Sequence, residues 1–192
     1  MAAARRGELP DSTPSSTGLC IGLCTGLCKG VLLRDRTNGN MEAMQSVFEV
    51  AGGIDGLRRL AAAWHRRVMA DEVVSHAFSH GFHPEHVERL AAYWAEALGG
   101  PTMYSDSYGD ETHVVKMHSG NGEHDEMDRR AIACFDQAVV DVGLAAEGVL
   151  GQVLHDYFAW ATTTTMSRYH QSADDVPGGL RVPRWSWNGL QG

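Results

Sequence analysis

The chain reads as an all-α protein, and three observations predict it. From Gln45 onward, apolar residues recur at spacings of three and four. No strand-period alternation lasts more than a few residues. Glycine pairs, prolines and Ser/Asp/Asn clusters stop each periodic run where a helix should end. With 192 residues, 43% hydrophobic and 21% charged, the chain has the length and balance of a soluble globular domain with its own core.

Phe48 to Gly53 predicts a short turn of helix broken by two glycines. Ile54 to Ala70 follows, with Ile54, Leu57, Leu60, Ala61, Trp64 and Val68 on one stripe. Asp71 and Glu72 start a short turn whose apolar face continues in Val73, Val74, Ala77 and Phe78. Ser79 to Pro84 is a corner. Glu85 to Leu98 is the next helix, with His86, Leu90, Tyr93, Trp94 and Ala97 on one face. It stops at Gly99-Gly100, because glycine adopts the left-handed conformation that closes helices, and Pro101 forbids continuation. Residues 101–125 carry turn composition around a short helix near Thr112 to His118. Helices over Glu126–Val142 and Leu150–Ser167 complete the set. Residues 173–192 form a tail whose aromatics dock on the body or stay loose.

Residues 1–43 differ from the rest. Pro10, Pro14 and a Ser/Thr cluster precede a Gly-Leu-Cys repeat at Cys20, Cys24 and Cys28. One glycine in every four positions opposes helix, so this stretch is expected to be a disordered extension, with translation starting at Met1 or near Met41. The expected globular domain is therefore 44–172. The net charge of −8, without a Lys/Arg run, argues against a nucleic-acid partner. No apolar run reaches the roughly 18 residues of a membrane span. No secretory signal is apparent, and the four cysteines make no disulfide framework, so a cytoplasmic location is expected.

Ten histidines are many for this length, and three hold the candidate chemistry. His118 sits on a short segment between helices, past the double-glycine break, where an axial ligand to a flat cofactor belongs. His86 shares its helix face with Leu90 and Trp94. The chain reverses between His86 and His118, so the two can face opposite sides of one flat pocket. Trp64, Phe78, Leu90, Trp94, Tyr104 and Val114 supply apolar walls of the kind a porphyrin needs, and Lys116 and His113 are candidates for its carboxylates. A solvated loop histidine remains the bland reading of His118. His76, His80, His83 and His86 recur at spacings of four, three and three, which leaves a non-haem metal site open.

Residues 45–170 resemble a truncated haemoglobin, most nearly the group II branch. Four pieces carry the resemblance: Phe48-Glu49-Val50-Ala51-Gly52-Gly53, Trp64-His65 with Asp71 after it, Gly99-Gly100-Pro101 with Tyr104, and His118. The Pro183-Arg184-Trp185-Ser186-Trp187 tail is similar to the C-terminal extension of some bacterial members. The resemblance implies a two-over-two helical sandwich around a b-type haem, with His118 as the proximal iron ligand. It places His65 where the family usually has a tyrosine, His86 at the distal position, Phe78 on the haem face and Leu90 along the distal side. Ala131 stands where group II members usually have tryptophan. Imidazoles thus replace the usual polar clamp, and either distal histidine is also able to bind iron. The implied function is binding of oxygen or another diatomic ligand, with nitric oxide dioxygenase or peroxidase-like activity and a reductase partner. Two other classes stay open. One is a haem-based sensor acting through a partner that contacts the cysteine-repeat and Trp-rich ends. The other is a helical non-haem metalloenzyme using the His76–His86 cluster.

Overall fold

A capping box starts the fold. Ser46 Oγ accepts the Glu49 amide at 3.2 Å and the Glu49 carboxylate accepts the Ser46 amide at 2.7 Å. Two donors that a helix start leaves unpaired are thereby satisfied. The box launches α1 (Val47–Val50), a single turn pinned by a 2.9 Å bond from the Phe48 amide to the Leu98 carbonyl. The computed structural model describes residues 44–192, so the cysteine repeat and the expected 1–43 extension lie outside the described residues.

Helix α2 (Gly53–Ala70) buries Leu57, Leu60, Ala61 and Val68, the stripe expected from their spacing. A Cβ on Gly56 would sit 1.8 Å from the Ala51 carbonyl oxygen, so α1 folds back onto α2 only over a glycine. At the end of α2, Asp71 Oδ1 accepts the amides of Val73 and Val74, each at 2.9 Å. Its other oxygen takes the Arg130 guanidinium. This shapes the 3₁₀ turn Val74–Phe78 and aims Phe78.

Helix α3 (His86–Ala97) ends where expected. Gly99 has φ 93°, and a Cβ on Gly100 would lie 2.7 Å from the Ala95 carbonyl oxygen and 2.8 Å from Phe48 Cγ. Helices α4 (Met103–Ser107) and α5 (Glu111–Met117) follow, the second capped by Asp110, whose side chain accepts the His113 amide at 2.8 Å. Helices α6 (Asp125–Asp141) and α7 (Leu150–Trp160) complete the set, and a wider π-helical stretch carries α7 on through Ala161–Met166.

Helix α2 packs on α3 and crosses to α6, and α6 packs on α7, which gives the two-over-two sandwich. Between the pairs, Phe135 stacks on Phe158 with centroids 4.1 Å apart, and Trp94 stands edge-on to both. Leu57, Leu60, Leu150, Leu154 and Phe135 are almost fully buried. Each such side chain contributes about 1.5–3 kcal/mol.

The tail docks rather than staying loose. Arg184 Nη1 donates to the carbonyls of Glu96 and Gly100, both at 2.7 Å, and so caps the end of α3. Trp187 Nε1 donates to the Gln45 carbonyl at 2.7 Å. Trp185 meets Trp160 and Tyr157 at 5.4 and 6.0 Å. A small antiparallel hairpin, β1 (Trp185–Ser186) with β2 (Gly189–Leu190), was not expected, since two-residue strands carry no readable period. Among the described residues, no helix is long and apolar enough to cross a membrane.

Candidate functional site

His118 caps the C-terminus of α5, where the last turn leaves carbonyls unpaired. Its Nδ1 lies 2.8 Å from the Val114 carbonyl oxygen, four residues back. A carbonyl only accepts, so Nδ1 bears the proton and donates, and Nε2 presents its lone pair. The residue is exposed, yet its ring is crowded enough that desolvation lowers its pKa against the opposing pull of the Val114 bond. His124 and Asp128 are close enough to perturb it. His124 Nδ1 bonds Asp128 at 2.9 Å, and Ser167 Oγ donates to the other Asp128 oxygen. A cleft of about 540 Å³ on this side is lined by Glu123, Asp128, Ile132, Thr163, Ser167 and His170.

Two further histidines gather on α2 and α3. His65 and His86 stand 5.0 Å apart, boxed by Phe78 at 5.7 and 5.4 Å. Phe82 closes the box, 4.7 Å from His65 and 47% exposed. Nδ1 of each histidine is buried without a hydrogen-bond partner. Desolvation holds both below the usual histidine range. For His86, aided by the charges of His65, His118 and His83, the value falls to about 4. Both are therefore neutral at neutral pH. His118 is close enough to His86 to add to its lowering.

The structure brings His65, His86 and Phe78 into one group, with His118 within electrostatic reach of His86. Trp64 and Trp94 meet edge-on at 6.0 Å within the core, and Trp64 Nε1 donates to the Ala131 carbonyl at 3.2 Å. The indole N–H at the Ala131 position is thus engaged by backbone. Leu90 is half-buried against the core, Val114 is 7% exposed and lends its carbonyl to His118, and Lys116 and His113 are exposed. Tyr104 packs elsewhere, against Tyr93 and Tyr108 at 5.2 and 6.0 Å. His76, His80, His83 and His86 do not converge: among the described residues no three His, Cys, Asp or Glu come together as a metal site. The reason is that 76–86 spans a 3₁₀ turn and an open corner rather than one helix face.

Sequence reasoning missed Phe82 and Arg89. Arg89 lies three residues beyond His86, its Nε is buried without a partner, and its guanidinium stands 5.1 Å from the Tyr108 ring. A cation one turn along from a pocket histidine was the available signal.

This donor set fits haem. One imidazole offers a free Nε2 fixed by a backbone bond, two neutral imidazoles carry unpartnered nitrogens, and the rings packed around that pair are aromatic.

A model of bacterial-like globins matches residues 46–153. Among solved structures, a thermostable haemoglobin from the actinobacterium Thermobifida fusca is 27% identical, with TM-score 0.53, covering 64% of this chain and 97% of that one. A haemoglobin from Chloroflexus aurantiacus is 22% identical, with TM-score 0.56, covering 65% and 99%. The group II truncated haemoglobin of Bacillus anthracis is 19% identical, with TM-score 0.58, covering 65% and 92%. No curated protein sequence matches significantly.

Proposed function

The chain belongs to the bacterial-like globin family, and from that premise we propose that it holds a b-type haem between His118 and the His65–His86 pair and binds oxygen or another diatomic ligand there. The observation that carries this reading is the division among the histidines. The Nδ1–H of His118 is tied to Val114, while Nδ1 of His65 and of His86 has no partner. An imidazole with a tied Nδ1–H is oriented and basic at Nε2, as a ligand must be. An imidazole with a buried, unpaired Nδ1 carries its proton on Nε2, because an orphaned donor is rarer than an under-satisfied acceptor. His65 and His86 are then two N–H donors for a ligand on the iron, and each exposes one N–H.

When bound, the haem would supply a redox-active iron. Phe78, Phe82 and Leu90 would shield the His65–His86 pair from water. Arg89, with its unpartnered Nε, joins Lys116 and His113 as a holder of the haem carboxylates. Nitric oxide dioxygenase or peroxidase-like turnover with an external reductase, membership of the group II branch and a reducing cytoplasm complete the proposal. The test is an absorption spectrum of the purified full chain, oxidised and then reduced. A strong Soret band that shifts on reduction is expected. No Soret band, even after adding hemin, overturns the reading.

A further inference from the structure

A second polar cluster, inside the core, has no part in ligand binding as described above. Glu111 begins α5 and is 2% exposed. Its Oε2 accepts the Tyr93 hydroxyl at 2.8 Å, while its Oε1 and the Tyr157 hydroxyl are buried without partners. A carboxyl buried among tyrosines is unfavourable unless it is used or protonated. Burial pushes Glu111 up to about 7, the Tyr93 bond opposes this, and Glu96 and Asp110 add to it. Burial also holds Tyr93 well above the usual phenol range, so Tyr93 stays protonated until something else acidifies it. Loss of an electron does so: a one-electron-oxidised phenol is a strong acid, and a carboxylate in contact takes its proton.

The location fits that chemistry. Tyr93 follows His86 by seven residues and Leu90 by three, which puts it on the same face of α3. Tyr104 stands edge-on to it at 5.2 Å, and Tyr108, partly exposed, lies 6.0 Å beyond. Three phenol rings therefore span from the α3 face to the surface.

We infer that Tyr93 is a one-electron donor to the peroxide-oxidised haem, with Glu111 as its proton acceptor and Tyr104 and Tyr108 as the route to an external phenolic reductant. The inference rests on the haem reading above. With haem bound, hydrogen peroxide, the co-reactant, would be the two-electron oxidant, consuming two protons from solvent and leaving two waters. Tyr93 returns one electron, and its hydroxyl proton crosses to Glu111 Oε2, leaving a neutral tyrosyl radical beside a protonated carboxyl. An external phenol gives one electron across Tyr108 and Tyr104 and loses its own proton to solvent. The proton held on Glu111 goes back to Tyr93. A second such cycle returns the other electron.

The experiment mixes ferric full-length protein with one equivalent of hydrogen peroxide, freezes it and records its electron paramagnetic resonance and Soret band. A tyrosyl signal is expected. Tyr93→Phe, which keeps the packing and removes the hydroxyl, loses it. Glu111→Gln, which still accepts from Tyr93 but takes no proton, loses it too, with the Soret band retained. In the unaltered chain the signal declines as pH falls through about 7, as Glu111 fills. The groups facing Glu111 are Tyr93 and Glu96 from α3, Tyr104 from α4, neighbouring Asp110 and Tyr157 from α7. An undiminished signal in Tyr93→Phe overturns the assignment, and a pH-independent signal overturns the part given to Glu111. If Tyr93→Phe fails to hold haem, ring-deuterated tyrosine in the unaltered chain decides. Collapsed hyperfine splitting with the pH dependence supports the inference, and an unchanged spectrum overturns it. A chain that shows no Soret band with hemin overturns the haem reading and, with its oxidant gone, this inference also. A Soret band without a tyrosyl signal overturns this inference alone.

Discussion

At the end of α5 one imidazole is tied at Nδ1 to a carbonyl 2.8 Å away; on α2 and α3 two imidazoles stand 5.0 Å apart, neither Nδ1 partnered. The three side chains are chemically identical, and desolvation keeps all three below the usual range. What separates them is a single backbone acceptor, which ties one Nδ1 and frees that ring's Nε2 lone pair, while the other two rings have no such tie. Desolvation explains why all three are neutral. The Val114 carbonyl explains why their roles differ.

The comparison breaks most sharply at His118. His118→Ala should abolish specific haem uptake, with the Soret band lost, while imidazole added to the buffer restores a band. If His118→Ala retains an unchanged haem spectrum, the division of roles is wrong. The α5 side is sharpened by pH, since Glu111 begins the helix that ends at His118. Folded Glu111 keeps its proton to about pH 7, whereas the unfolded group loses it near 4.5. Between these values the unfolded chain binds fewer protons, so stability should fall as pH rises from 4.5 to 7. Glu111→Gln should flatten that fall, gaining up to about 3 kcal/mol at pH 8 over the native residue, read from denaturant melts at pH 5 and 8.

The α2–α3 side should respond in ligand retention rather than in haem uptake. His65→Leu and His86→Leu should each keep the Soret band and speed oxygen release by roughly tenfold, the loss of one hydrogen bond of about 1–2 kcal/mol. Loss of haem in His86→Leu would mean that His86, not His118, holds the iron. The smallest effect lies away from the three histidines. Arg184→Ala should lower stability by about 1–2 kcal/mol through two unpaired carbonyls at the end of α3, seen in the melting temperature, with the haem spectrum unchanged.

Helices α2, α3 and α6 were legible because each shows its buried stripe at spacings of three and four, and Gly99-Gly100-Pro101 announces its stop. Residues tied by local geometry were legible as well: His118 lies one turn past the carbonyl that orients it. What escaped was non-local. Glu111 meets Tyr93 across 18 positions, and Arg184 reaches Glu96 across 88, so neither pairing leaves a period in the sequence. Phe82 looked like part of a polar corner and proved to be one wall of the histidine box. Tyr104, expected among the apolar pocket walls, has its ring against Tyr93 and Tyr108, contacts that no period in the sequence announces. The evenly spaced histidines from 76 to 86 invited a metal reading, which fails because their segment is not a single helix.

The bond from the Trp187 indole to the Gln45 carbonyl brings the two ends of the described segment within a hydrogen bond of each other. A segment closed in this way is suited to circular permutation: a short linker can join the ends, and new termini can open in a surface turn such as that around Gly148. It can equally be set as a cassette into a loop of another protein, entering and leaving at one point.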